Sequence, residues 1–172
     1  MKYVIVGGFA VIRFGYIRAA GDIDLLVENF PENIERIRKA LSYLPDGEAH
    51  KIGDTDLDEY RVVRVSGEIT VDLLGKACDV TYSDAIPHIL EDEIKGVKIP
   101  NLKPELLIKT KMGVRPKHVQ DRDYLERLTK GESKANGAEN RGSMILFSRG
   151  SAGINDLNVS YAFHDLNAFH LS

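Results

Sequence analysis

The 172-residue chain has one cysteine, Cys78, and no tryptophan. A lone thiol excludes an intrachain disulfide framework, and with it the cross-linked secreted scaffolds. Cys78 itself reads as small buried filler. Long apolar runs are missing too. None approaches the roughly 20 residues that a membrane-spanning helix needs. The opening Met1-Lys2-Tyr3-Val4-Ile5-Val6 lacks the length and cleavage site of a signal peptide, so a cytoplasmic location is the expectation. An excess of positive charge is also absent. Lys and Arg number 23 against 26 Asp and Glu, a net of −3, so the chain as a whole is not a basic nucleic-acid binder. His50, His88, His118, His164 and His170 show no zinc-ligand spacing. Asp54, Asp56 and Asp58 alternate behind Gly53 in what reads as an exposed loop, without the later Glu of a calcium-binding loop.

What remains is an ordinary globular composition, 43% hydrophobic and 28% charged, long enough for one domain with a real core. Its charge is uneven. Residues 1–102 carry 12 Lys and Arg against 18 Asp and Glu, whereas residues 103–130 carry 8 against 4. An acidic portion suited to cations precedes a basic helical one suited to an anion.

Periodicity and turn residues supply the elements. Tyr3-Val4-Ile5-Val6 is a β-branched strand stopped by Gly7-Gly8, and Phe9 to Phe14 follows as a short helix. Asp22 to Glu28 is a second strand. Pro31 and Glu32 open a helix carrying Ile34, Ile37 and Leu41 at helical spacing. Tyr60 to Val65 and Ile69 to Leu74 flank Ser66-Gly67 as a hairpin. Ser83 to Leu90 reads as a short helix and Ile94 to Ile99 as a strand around Gly96. Pro104 to Met112 and His118 to Leu128 form two helices. Beyond about Gly131 the chain is rich in Gly, Ser and Asn without a sustained period. The expected class is α/β (α+β): a small mixed sheet with flanking helices and a short C-terminal helical segment. The expected units are a core over 1–102, a helical segment packed on it over 103–130, and a weakly ordered, atypical or appended tail over 131–172.

Asp22 and Asp24 dominate the chemistry. In a strand, residues i and i+2 share a face, so the two carboxylates project together while Ile23 and Leu25 point into apolar packing. Like charges that close repel unless a positive group stands between them. Mg²⁺ suits this role, since it binds through one or two carboxylates plus substrate phosphates. Gly7 and Gly8, with thirteen residues between Gly8 and Asp22, would let backbone amides approach those phosphates. Asp72, an acid between Val71 and Leu73 in another strand, is a third candidate. The basic segment adds Lys109, Lys111, Arg115 and Lys117. Three carboxylates from two neighbouring strands make a plausible seat for two Mg²⁺ ions.

Val6-Gly7-Gly8, a short helix and then Asp22-Ile23-Asp24-Leu25 resemble the signature of the DNA polymerase β-type nucleotidyltransferase superfamily. The stretch from Gly7 through Gly15-Tyr16-Ile17-Arg18 to Asp24 is similar to its small prokaryotic branch, the minimal nucleotidyltransferases and abortive-infection toxin relatives. So are Leu107-Ile108-Lys109 and Arg115-Pro116-Lys117-His118 to Asp121, with His118 standing where that branch has Asp. The resemblance covers about residues 3–130. Many such relatives place a helix before the first strand, where this chain begins on the strand.

The resemblance implies a Mg²⁺-dependent transfer of a nucleoside monophosphate from an NTP to an acceptor hydroxyl. Asp22, Asp24 and Asp72 would be both metal ligands and catalytic residues, with Asp72 helping to deprotonate the acceptor. Gly7 and Gly8 would cradle the phosphates, and Lys109 or Lys111 would approach the triphosphate, with Arg18 as a further nucleotide contact. The acceptor stays open between a small molecule, a protein and an RNA such as tRNA. The alternative is a catalytically weak nucleotide- or partner-binding module of a toxin–antitoxin pair.

Overall fold

The computed structural model describes residues 1–67, 69–94 and 96–132. Six strands form one mixed sheet in the order β3-β4-β2-β1-β8-β7. The buried run at the start of the chain is the central strand β1 (Tyr3–Ile5), which pairs antiparallel with β2 (Asp22–Val27) and parallel with β8 (Val97–Leu102). On the other side β2 runs parallel to β4 (Thr70–Leu74), and β3 (Val63–Val65) closes that edge as the antiparallel partner of β4. The strand at the opposite edge, β7 (Ile89–Ile94), pairs with β8. This is the small mixed α+β architecture the sequence pattern points to.

Because β1 and β2 are antiparallel, the end of β1 lies beside the start of β2. Helix α1 (Gly7–Arg13) leaves from that end, so the diglycine and the Asp22/Asp24 pair meet at one rim of the sheet. Helix α2 (Pro31–Leu41) begins at a proline and buries Ile34, Ile37, Ala40 and Leu41. A 3₁₀ segment (Pro45–Lys51) and the short helix α3 (Asp56–Glu59) lead to β3. A two-stranded ribbon of β5 (Lys76–Ala77) and β6 (Val80–Thr81) precedes α4 (Tyr82–Ala85), whose Thr81 and Asp84 form a capping box. After β8 come α5 (Pro104–Leu107), a 3₁₀ turn (Ile108–Lys111) and α6 (Pro116–Thr129). Leu107 and Leu125, both fully buried, join the core cluster that also holds Val4, Leu25 and Leu73.

Polar and ring contacts fix α6 against the end of α1. Tyr124 donates its hydroxyl to the Phe14 carbonyl at 2.7 Å, and its ring stacks on Tyr16 with centroids 4.7 Å apart. Arg13 of α1 pairs with Asp92 of β7, which also accepts from Asn101 at 2.8 Å.

Four expectations need correction. The first helix starts at Gly7, not Phe9, because the glycines form its first turn. The helix expected over Ser83 to Leu90 ends early: a 3₁₀ turn (Ile86–His88) follows α4, and Ile89 already belongs to β7. The strand expected across Gly96 is two strands of a hairpin, with Gly96 at φ +81° turning the chain between them. Cys78 is exposed rather than buried, at φ 54° in the tight β5–β6 connection. The segment expected as a tail lies, from residue 133 onward, outside the described residues.

Candidate active site

Strand pairing decides which acids meet. In the parallel β2–β4 ladder Asp24 stands directly opposite Asp72, and Asp22 opposite Thr70. Residues paired across a ladder share a face, as do Asp22 and Asp24 along β2. The three carboxylates therefore rise from one surface, with Ile23, Val71 and Leu73 buried on the reverse. Asp72 is itself buried at 5% exposure, an expensive place for a charge without a partner.

The burial and the neighbours act on Asp24 most. Its carboxyl is pushed up from 3.8 to about 6, first by burial, then by the charge of Asp22, with Asp72 adding to it; Lys111 and a backbone bond from Gly8 pull the other way. Burial leads this shift, so the ionised form of Asp24 is costly here above all because it is taken from water. The diglycine is fitted closely around it. Gly7 has φ +64°, and a Cβ there would overlap the Asp24 carboxylate. A Cβ on Gly8 would come within 2.7 Å of Arg18 Nη2. The Val6 amide donates to the Asp24 carbonyl at 3.0 Å, which binds the bend to the strand.

Two basic groups balance the acids in different ways. Arg64, from the edge strand β3, lies opposite Asp72 in register. Its Nε and Nη2 donate to the two Asp72 oxygens, each at 2.7 Å, and Nη2 also reaches Asp22 Oδ2 at 3.4 Å. This is a bidentate fork of the strong kind, yet the Arg64 side chain is 56% exposed. On the other wall Lys111 is 4% exposed, and its Nζ lies 3.1 Å from Asp121 Oδ2. Asp121 is fully buried and also takes Arg18, with Nη2 donating to Oδ2 at 3.0 Å. Burial draws the Lys111 ammonium below its ordinary value, while Asp121 and Asp24 hold it up.

Asp121 lies behind the surface, and the other residues line a cleft of about 1580 Å³, which Arg115, Lys117 and His118 at the start of α6 also border. His118 Nδ1 is buried without a hydrogen-bond partner among the described residues. Its pKa is lowered by burial and by Lys111 and Arg115, against the pull of Asp121.

Of the candidates drawn from sequence, the cleft brings together Gly7, Gly8, Arg18, Asp22, Asp24, Asp72 and Lys111. Lys109 borders a separate hollow beside Cys78 and Met112, so between the two lysines the cleft receives Lys111. The sequence pattern does not single out Arg64, and it includes Asp121 only as the end of the stretch that begins at Arg115, without a role. A hairpin turning on Ser66-Gly67 would set residue 64 against residue 69, whereas the observed register sets Arg64 against Asp72, so the turn signal alone does not bring Arg64 to the site. Asp121 joins the site only through the packing of α6.

The donor set has the chemistry of a hard-cation site, with three carboxylates on one face and an excess of negative charge at Asp24. Its present arrangement is closed around Arg64. Among the described residues, no three His, Cys, Asp or Glu side chains are gathered as a ready metal-ligand set. Asp22, Asp24 and Asp72 thus fit Mg²⁺ in kind, with the guanidinium holding the place of a cation.

No helix among the described residues is long and apolar enough to cross a membrane. No curated protein matches the chain. The model of the family described as "Nucleotidyl transferase of unknown function (DUF2204)" matches residues 1–142, which include the whole cleft. The chain belongs to this family of nucleotidyl transferases.

Proposed function

We propose that the protein transfers a nucleoside monophosphate from an NTP to an acceptor hydroxyl, using the acidic face of β2 and β4, in the manner of the polymerase β-type enzymes. The observation that carries this reading is the register of Asp24 against Asp72 beside the Gly7 bend. Asp22, Asp24 and Asp72 would hold two Mg²⁺ ions. Bound there, Mg²⁺ would supply Lewis-acid activation of the attacking hydroxyl and charge neutralisation on the departing pyrophosphate. The protein's own work is positioning, which dominates this class of transfer.

Each group then has a task. Gly7 and Gly8 keep side chains away from the bend, so that a polyphosphate can lie against backbone beside Asp24. Lys111, held rigidly by Asp121, presents its ammonium from the opposite wall toward the same space. Arg115 and Lys117 extend that positive wall to the mouth of the cleft. Asp72 lies on the side of β3 and would take the acceptor's proton. The cleft, at about 1580 Å³, is larger than the 300–1,000 Å³ usual for one small ligand. It leaves room for an acceptor beside the nucleotide.

Incubating the protein with each α-labelled NTP, Mg²⁺ and a cell extract tests the reading. Label should appear in an acceptor with wild type and vanish with Asp22→Ala combined with Asp24→Ala. Absence of label from every NTP with folded protein would overturn it, and a copurifying partner bound without metal or nucleotide would point to the partner-binding alternative of a toxin–antitoxin pair.

A further inference from the structure

We infer that Arg64 is an exchangeable internal cation: its guanidinium occupies the acidic face while no metal is bound, and leaves Asp72 when a divalent cation binds. The inference rests on the transferase reading above and adds a residue with two stations. Its basis is a mismatch between the two ends of one ion pair. Asp72 is buried, and both its oxygens are bonded by Arg64 at 2.7 Å. The Arg64 side chain, by contrast, is 56% exposed and sits on a three-residue strand at the edge of the sheet.

Here the anion is fixed in the sheet and the cation hangs over it from the solvent side. The fork spans Asp72 and reaches Asp22 at 3.4 Å, so one guanidinium bridges carboxylates from two strands. A bridging cation is what a divalent ion would be on the same face. Both cannot hold the same lone pairs of Asp72, so the two compete.

The geometry also gives Arg64 somewhere to go. It borders the cleft together with Arg61 and Tyr60, both exposed on the segment leading into β3. Rotation about its own side-chain torsions carries the guanidinium into the cleft without moving the backbone. Lys111 and Arg18, whose side chains are 5% and 18% exposed against 56% for Arg64, have no such open side.

Mn²⁺ is the probe for both tests, with electron paramagnetic resonance counting free ion. Arg64→Gln removes the competitor and should tighten Mn²⁺ binding by about two- to fivefold, the range expected for losing a partly exposed charge pair. Unchanged or weaker binding would overturn the inference, because a purely structural fork helps hold Asp72 in place. Wild-type protein supplies a test that no folding defect can spoil. The Arg64 Nε–H resonance, protected by the Asp72 bond, should lose that protection on titration with diamagnetic Mg²⁺ and a non-hydrolysable NTP analogue. A resonance unmoved at saturation would sink the exchange. If wild type binds neither Mn²⁺ nor Mg²⁺ with the analogue present, the transferase reading itself fails and takes this inference with it.

Discussion

Two ionic clusters face each other across the cleft, and they solve opposite problems. On α6 a single carboxylate, Asp121, is fully buried between Lys111 and Arg18. On the sheet three carboxylates share a face with one arginine that is more than half exposed. The first cluster has cations in excess around a sealed anion; the second has anions in excess and an open side. A buried cluster of fixed partners positions a charge. An exposed cluster with surplus anion invites another cation. Catalysis by placed charge needs one wall of each kind.

The comparison breaks most visibly if the buried side is emptied. Asp121→Asn leaves Lys111 and Arg18 without their anion, and should cost about 3–5 kcal/mol, the usual result of orphaning a buried ion pair. Chemical denaturation measures it. A loss near zero would mean that the α6 cluster is not a buried anchor.

The acidic side should respond with the opposite sign. Burial and the neighbouring acids push the Asp24 carboxyl up to about 6 in the folded protein from its ordinary 3.8. The folded state therefore binds the proton more tightly between about pH 4 and 6, and stability falls as pH rises through that window. Above it the charged carboxylate costs up to about 3 kcal/mol. Asp24→Asn should recover most of that at pH 7.5 in metal-free buffer and flatten the pH profile, while lowering transfer about 100-fold or more. A destabilised Asp24→Asn protein at pH 7.5 would contradict the account of surplus charge.

Gly7→Ala sharpens the geometry between the two walls. The positive φ alone costs an alanine about 1–2 kcal/mol, and the methyl group also overlaps the Asp24 carboxylate. Thermal unfolding should show that loss, with nucleotide binding reduced further. Arg64→Gln strips the bidentate partner from buried Asp72 and should lower the melting temperature in metal-free buffer, by less than Asp121→Asn does because the Arg64 side chain itself faces solvent.

Much of this arrangement is legible in the sequence, and the limits have physical causes. The alternation through Asp22-Ile23-Asp24-Leu25 fixes which side chains face the core, since strand geometry is local. That Asp72 meets Asp24 is not local; it depends on a parallel pairing between strands separated by α2 and α3. The Ile86 to Leu90 stretch has apolar spacing compatible with a helix, but the turn at Gly96 lets Ile89–Ile94 pair with Val97–Leu102, and the ladder prevails. Cys78 reads as filler by residue type, and only the two-residue connection of the β5–β6 ribbon explains its exposure. Asp121 looks like any helix-surface acid until α6 docks and seals it against Lys111.

Calorimetric titration of the protein with a non-hydrolysable NTP analogue, with and without Mg²⁺, tests the central claim most directly. Binding that requires Mg²⁺ and is lost in the Asp22→Ala, Asp24→Ala double variant, with the variant still folded, is the predicted result. Equal affinity with and without the metal, or full binding by the double variant, would contradict it.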